Sequence, residues 1–539
     1  MPSFTSRRFQ QAISGFALVF STTWLLHGPL LRLPYFWDEA GYYVPAAYDI
    51  FRTGQLIPTT TLSNAHPPLV MLWLAMWWKL SNFTPAVTRT AMLLVAAFGL
   101  YGVFKLADRL TNWKVAAVSV TLTALYSVMF AQSSLAQLDM PVMAVAIWGL
   151  YYYLKGRRIP AIFTFAVAAM VKETALIFPL TIFFLELLSP IIGRFRGWKL
   201  SSHPRRVTET LAMLLSAIPL GLWYAYHFHK TGYIFGNPEY VRYNIGATLS
   251  PLRFVIALGM RLWHILGYMN MFVLTAAAFV ISREPALREN SSERTGVDRS
   301  VQLLFGALIL AHAVAFAAVG GAALARYVLP VIPLVVILSV AALYRHSSNW
   351  IAWCGLAGAA FVLALLINPP WRIAPEDNLA YSDFVHLHAG AAAYLQKEHP
   401  GGVVLTAWPG SDELNRPFVG YVRKPMTVVR VENFSAPQMI AAAQQRDLFD
   451  FVYVFNTKYD PPRNLLSRLR VWNRLQERFF DYHQDLGPEQ IALMMQGKIV
   501  WQQQRGGQWA AIIALDHVQN ARLTRNPSAA ATQLAFSPF

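Results

Sequence analysis

The sequence predicts a polytopic α-helical membrane protein that ends in a small soluble α/β domain. Three observations predict it. Hydrophobic residues fill 55% of the 539 positions and charged residues only 14%, where an average soluble domain carries about 25% charge. As far as residue 367 the apolar residues gather into runs, many near the roughly 20 residues that a helix needs to cross a bilayer. After Asn368-Pro-Pro370 the runs stop, and short β-branched stretches alternate with helical patterns, as in a small α/β domain.

The first run, 13–31, follows Arg7 and Arg8 and has no small-x-small cleavage site after it. It reads as an uncleaved first span with a cytoplasmic N-terminus. A long outer segment, 32–67, comes next. Residues 68–80 are apolar but short, and either span or lie at the interface as a Trp-rich helix. Spans follow at 86–107, 115–131, 141–154, 159–171, 175–189 and 207–226. Residues 251–282 hold an amphipathic piece and one span; 301–323, 327–344 and 350–367 complete the series. The expected count is eleven, or up to thirteen with the doubtful segments. Arg and Lys gather at 105–114, 155–158, 194–206, 283–299 and 345, on one side of this alternation, the cytoplasmic side. Asp38, Glu39, His66, Asp139, Glu173, His227, His229 and Glu239 fall on the opposite side. The protein is therefore expected in a bacterial inner membrane, with its C-terminal domain on the outer face.

The formal net charge of +17 belongs to short loops between spans and contains no basic aromatic cluster, which argues against nucleic acid as a partner. Cys354 is the single cysteine, so no intrachain disulfide forms. The expected domains are 1–367 and 368–539. In the second, 403–408, 426–431 and 449–455 read as buried strands, with helical patterns at 412–421, 436–446 and 463–482 and a hairpin at 498–515 turning at Arg505-Gly-Gly507. It holds no GxGxxG and no P-loop, so no nucleotide cofactor is expected. The last twenty or so residues read as poorly ordered.

The chemistry is expected around Pro34-Tyr-Phe-Trp-Asp-Glu-Ala-Gly-Tyr-Tyr43, which sets Asp38 and Glu39 side by side after the first span. They are either a solvated pair or helix cap, or a general base beside a carboxylate that orients a substrate or a neighbouring group. His66-Pro-Pro68 puts a histidine at the start of a helix, either as an interface residue or as a phosphate contact. Asp139, two residues before Pro141, is either an N-cap or a further carboxylate of the site. Lys172-Glu173 lies between two short apolar segments and Arg326-Tyr327 opens a late one. Charges there need partners, and each cation is read as an ion-pair or interface residue or as a phosphate ligand. His227, His229 and His264 lack carboxylates at ligand spacing, so no metal site is expected. A base carboxylate, a second acid and cations on one face suit transfer from a phosphate-activated lipid donor, whose leaving group needs positive charge rather than an acid.

On these residues the chain resembles the GT-C class of integral-membrane glycosyltransferases, near bacterial members related to protein O-mannosyltransferases and lipid A aminoarabinose transferases. The matching pieces are Trp37-Asp38-Glu39-Ala-Gly-Tyr-Tyr, His66-Pro-Pro-Leu, Leu138-Asp139-Met-Pro141, Val171-Lys172-Glu173-Thr and Arg326-Tyr327-Val-Leu-Pro330, in order within 1–367. The resemblance implies a polyprenyl-phosphate sugar donor, transfer at the outer face without metal or other cofactor, Asp38 as base, and Lys172 with the His66 region at the donor phosphate. Aminoarabinose transferases carry lysine before the prolines where this chain has His66, and a neutral histidine binds phosphate less well. The acceptor is a lipid, a glycan or a protein, with membrane lipids around it. The C-terminal domain is expected to recognise that acceptor. The competing expectation is a transporter or flippase of a lipid-linked or anionic substrate, which would show repeated halves and ionisable residues at mid-membrane.

Overall fold

A computed structural model describes residues 4–196, 207–245, 250–289, 291–319, 321–459, 461, 469–480 and 482–516. The chain forms two compact units, Met1–Leu31 with Ala46–Ile367, and Arg32–Pro45 with Asn368–Phe539. The segment 32–45 thus departs from the expected division, which left it with the membrane spans. The reason is aromatic: Phe36 and Trp37 find ring partners among residues 381–408.

The first unit is helical. Among the described residues, five helices are long and apolar enough to cross a membrane: Pro85–Leu110, Val207–Thr231, Pro251–Ile281, Arg299–Ala318 and Ala325–His346. Trp113–Leu125 and Ser127–Ser134 make a sixth if joined across their 70° bend. Several of the eleven to thirteen apolar runs fold as shorter or broken helices rather than as single long ones. Leu69–Leu80, Arg158–Val171 and Trp350–Leu366 are apolar but shorter. Run length counts apolar residues and does not see the breaks, as at Lys172, whose φ of −157° and ψ of 139° are extended. The apolar stretch Pro251–Ile281 is kinked between Pro251–Leu266 and Met271–Ile281, where Met269 and Asn270 have φ of 47° and 64°, at the division between the amphipathic piece and the span that the sequence indicates.

Local sequence starts these helices. Thr84 accepts a hydrogen bond from the Val87 amide ahead of Pro85, and Asn112 accepts from Lys114 and Val115, so orphan amides are satisfied by side chains. Small residues set the packing. A Cβ on Gly99 would lie 2.7 Å from the backbone of Ala144, so Pro85–Leu110 and Asp139–Leu154 touch almost backbone to backbone, as lipid-embedded helices without a hydrophobic driving force must.

The second unit carries a five-stranded sheet. Its strands are β1 (Val403–Ala407), β2 (Thr427–Val431), β3 (Phe451–Phe455), β4 (Gly497–Arg505) and β5 (Gln508–Leu515). Their order is β2-β1-β3-β5-β4. The first three run parallel and the hairpin β4–β5 adds antiparallel to β3. Every residue of β3 is buried, as the uninterrupted apolar run Phe451–Phe455 requires. The strands and hairpin match the expected positions within two residues. Helix Ala380–Glu398 packs on β4 and β5. The expected helix at 463–482 is seen as Arg470–Phe479; its start at 463–468 and the C-terminal tail lie outside the described residues.

Candidate active site

In the first unit the breaks between helices deliver charged side chains to one place. Asp139 opens its helix but caps nothing. Its Oδ1 accepts from Lys172 Nζ at 2.6 Å and its Oδ2 lies 3.4 Å from Arg326 Nε. Arg326 also donates to Gln137 Oε1. Asp139, Lys172 and Arg326 are all buried. The ring of Tyr327 gathers three cations: Lys172 Nζ at 4.6 Å, and the guanidinium carbons of Arg326 and Arg261 at 5.5 Å each. Phe316 stacks behind that ring at 5.4 Å. Arg261, itself buried, donates to the carbonyls of Leu324 at 2.7 Å and Ala322 at 3.2 Å, tying down the loop before Arg326. Burying a charge is tolerated when it is paired or ringed by aromatic faces. Here three cations share one aromatic ring and two of them share the Asp139 carboxylate, while Arg261 is held by backbone carbonyls, an arrangement of cations suited to an anion.

Beside this cluster, Glu173 turns to His66, with Oε2 at 2.9 Å from Nδ1. Tyr240 faces the other side of the imidazole, its ring 5.6 Å away and edge-on. The histidine is held in place by its backbone, since Ala65 has φ of 60° and its carbonyl accepts from Trp223 Nε1 at 2.9 Å. His227, set apart as an outer-face histidine, bonds the Ser63 hydroxyl at 2.7 Å and so fixes the same segment. The structure therefore brings Asp139, Lys172, Arg326 and Tyr327 together, with His66 and Glu173 as a second pair joined to them through the adjacent Lys172.

Asp38 and Glu39 belong to the second unit. They differ from each other in exposure. Glu39 is 0% exposed and its Oε2 accepts from the Phe36 amide at 2.8 Å, closing the turn that it sits in. Asp38 is half-buried and precedes the single wide helical turn Glu39–Tyr43. Of the two, Asp38 is the less buried.

No protein-family model and no curated protein matches the sequence. Solved structures do. The crystal structure of ArnT from Cupriavidus metallidurans bound to undecaprenyl phosphate aligns over 93% of this chain and 97% of that one, at 15% identity and a TM-score of 0.51. The apo form aligns over 94% and 98%, at 14% identity and the same TM-score. This chain has a GT-C fold. The fold expected from the motifs is borne out, and the protein is a multi-pass membrane protein.

Within the GT-C fold, two cluster members escaped the sequence reading. Gln137 is an uncharged residue with no sequence pattern to mark it, and Arg261 lies within the amphipathic piece 251–282. Arg261 had a usable signal, a charge within an apolar run, which is rare without a function or a partner.

Proposed function

We propose that the chain is a membrane glycosyltransferase that moves a sugar from a polyprenyl-phosphate donor to an acceptor at the outer face of an inner membrane. The observation that carries this reading is the convergence of Lys172, Arg326 and Arg261 on Tyr327, with Asp139 paired to Lys172 and Arg326. The shared fold supports it, because ArnT is a protein whose crystal structure holds undecaprenyl phosphate.

In this reading Asp38 takes the proton from the acceptor hydroxyl or amine. The freed lone pair attacks the anomeric carbon as the bond to the phosphate oxygen breaks, and the single displacement inverts that carbon. Polyprenyl phosphate leaves with the negative charge, which Lys172, Arg326 and Arg261 stabilise more strongly than they do the donor. Asp139 orients two of these cations. Glu39 holds the turn, and the His66–Glu173 pair lines the donor side. No metal or cofactor takes part.

The test is turnover of mixed polyprenyl-phosphate sugars by purified wild type and Asp38→Asn, with donor loss and product followed by mass spectrometry. Wild type should consume donor and release polyprenyl phosphate; Asp38→Asn should remain folded and do neither. Equal turnover by both removes Asp38 as base. Intact donor that crosses a proteoliposome membrane with wild type would move the reading to a flippase.

A further inference from the structure

We infer that the C-terminal unit is the frame that positions the Asp38 loop, with Trp408 as the main positioning residue; this rests on the reading of Asp38 as base. The loop leaves the membrane unit after Leu31, returns to it at Ala46, and between those points belongs to the C-terminal unit.

Three pieces of that unit grip it. The Tyr35 amide donates to the Val419 carbonyl at 3.1 Å. Tyr35 and Phe36 are buried, and Phe36 meets Tyr381 at 5.8 Å and the edge of Phe384 at 5.3 Å, both on helix Ala380–Glu398. Trp37 meets Trp408 edge-on at 4.8 Å and Phe384 at 5.7 Å.

The last contact matters most, because Trp37 has φ of 49°, a conformation that a bulky residue adopts only when its surroundings hold it. Asp38 is the next residue. The backbone that aims its carboxylate is thus set by the ring contacts of Trp37. Trp408 reaches the far side of the turn as well. A Cβ on Gly41 would come within 2.8 Å of the Trp408 indole, so only glycine lets the turn lie flat on it. Arg416 donates to the Gly41 carbonyl at 3.5 Å and pairs with Asp412 at 3.3 Å, and Asp412 in turn accepts a side-chain hydrogen bond from Trp408. The frame is itself braced. Phe384 stacks on His388 at 3.8 Å, and His388 Nδ1 meets Glu413 Oε2 at 2.5 Å, both of those side chains buried.

A base held in this way loses rate, not donor affinity, when its frame loosens. A displacement of about 1 Å can cost roughly 100-fold, while the donor's cations sit on the other unit. The experiment compares wild type, Trp408→Ala, Trp408→Phe, Gly41→Ala and Asp38→Asn as full-length purified proteins, by steady-state transfer from a polyprenyl-phosphate sugar and by hydrogen exchange of 34–43. Trp408→Ala should lower kcat roughly 10- to 100-fold, leave the donor KM within about twofold, and speed exchange in 34–43 while β1 and β3 stay protected. Trp408→Phe, which keeps an aromatic edge, should recover most of the rate. Gly41→Ala, approaching the contact from the loop side, should reproduce the Trp408→Ala loss if that variant does not fold.

Wild-type kcat in both Trp408→Ala and Gly41→Ala, with Asp38→Asn inactive, overturns the frame and spares the base. A rise confined to acceptor KM overturns it in favour of acceptor recognition. Full activity of Asp38→Asn overturns both readings together.

Discussion

Asp139 shows what a single side chain does for the cationic cluster. It is the direct anionic partner of Lys172 and Arg326, and all three are buried. Removing one partner of a buried pair typically costs about 3–5 kcal/mol, because the other charge stays behind. Asp139→Ala should therefore lower the unfolding midpoint in detergent by an amount that corresponds to about 3 kcal/mol or more. The double variant Asp139→Ala/Lys172→Met should recover part of that loss. Strict additivity of the two single effects would show that the pair is not coupled. At this scale the candidate residues were readable because a charge in an apolar run is conspicuous. Their pairing was not, since 33 residues separate Asp139 from Lys172 and 189 separate Gln137 from Arg326. The difference between Asp38 and Glu39 was hidden for a related reason. Adjacent carboxylates look alike in a sequence, and only the turn geometry buries one against the Phe36 amide and leaves the other half-buried.

Among the elements, close packing and open space can be told apart by the same substitution. Gly99→Val would drive side-chain atoms into the backbone of Ala144, and overpacking of this kind costs about 1–3 kcal/mol. Gly306 sits in helix Arg299–Ala318 with nothing near its missing Cβ, so Gly306→Ala should be neutral or stabilise by up to about 1 kcal/mol through helix propensity. Thermal unfolding of the two variants checks both. The sheet was legible because its signals are local: three apolar runs for β1 to β3, and Gly506-Gly507 for the turn between β4 and β5, with φ of 55° and 81°. The spans were legible as apolar mass but not as helices. Tyr126 ends one at ψ of 124° and Lys172 ends another in extended backbone, and neither residue type announces a break.

For the molecule as a whole, the division of labour between chain segments did not follow sequence order. Periodicity cannot reveal that 32–45 folds with residues such as Arg416, 375 positions beyond Gly41, because the evidence is aromatic faces that meet only in three dimensions. The C-terminal unit made alone would lack the segment that covers Tyr381, Phe384 and Trp408. Expressed as 368–539, it should melt earlier than the same piece mixed with a synthetic 32–45 peptide, and a scrambled peptide should give no such shift; calorimetry measures both. The loop's dependence on distant partners also has a meaning in time. Gly41 and Arg416 are 375 residues apart, and at roughly 5–20 residues per second the ribosome takes about 20–75 s to cover that distance. The loop with Asp38 must wait through that interval for its frame, so a chain interrupted before the C-terminal unit is made carries the carboxylate but has nothing to aim it.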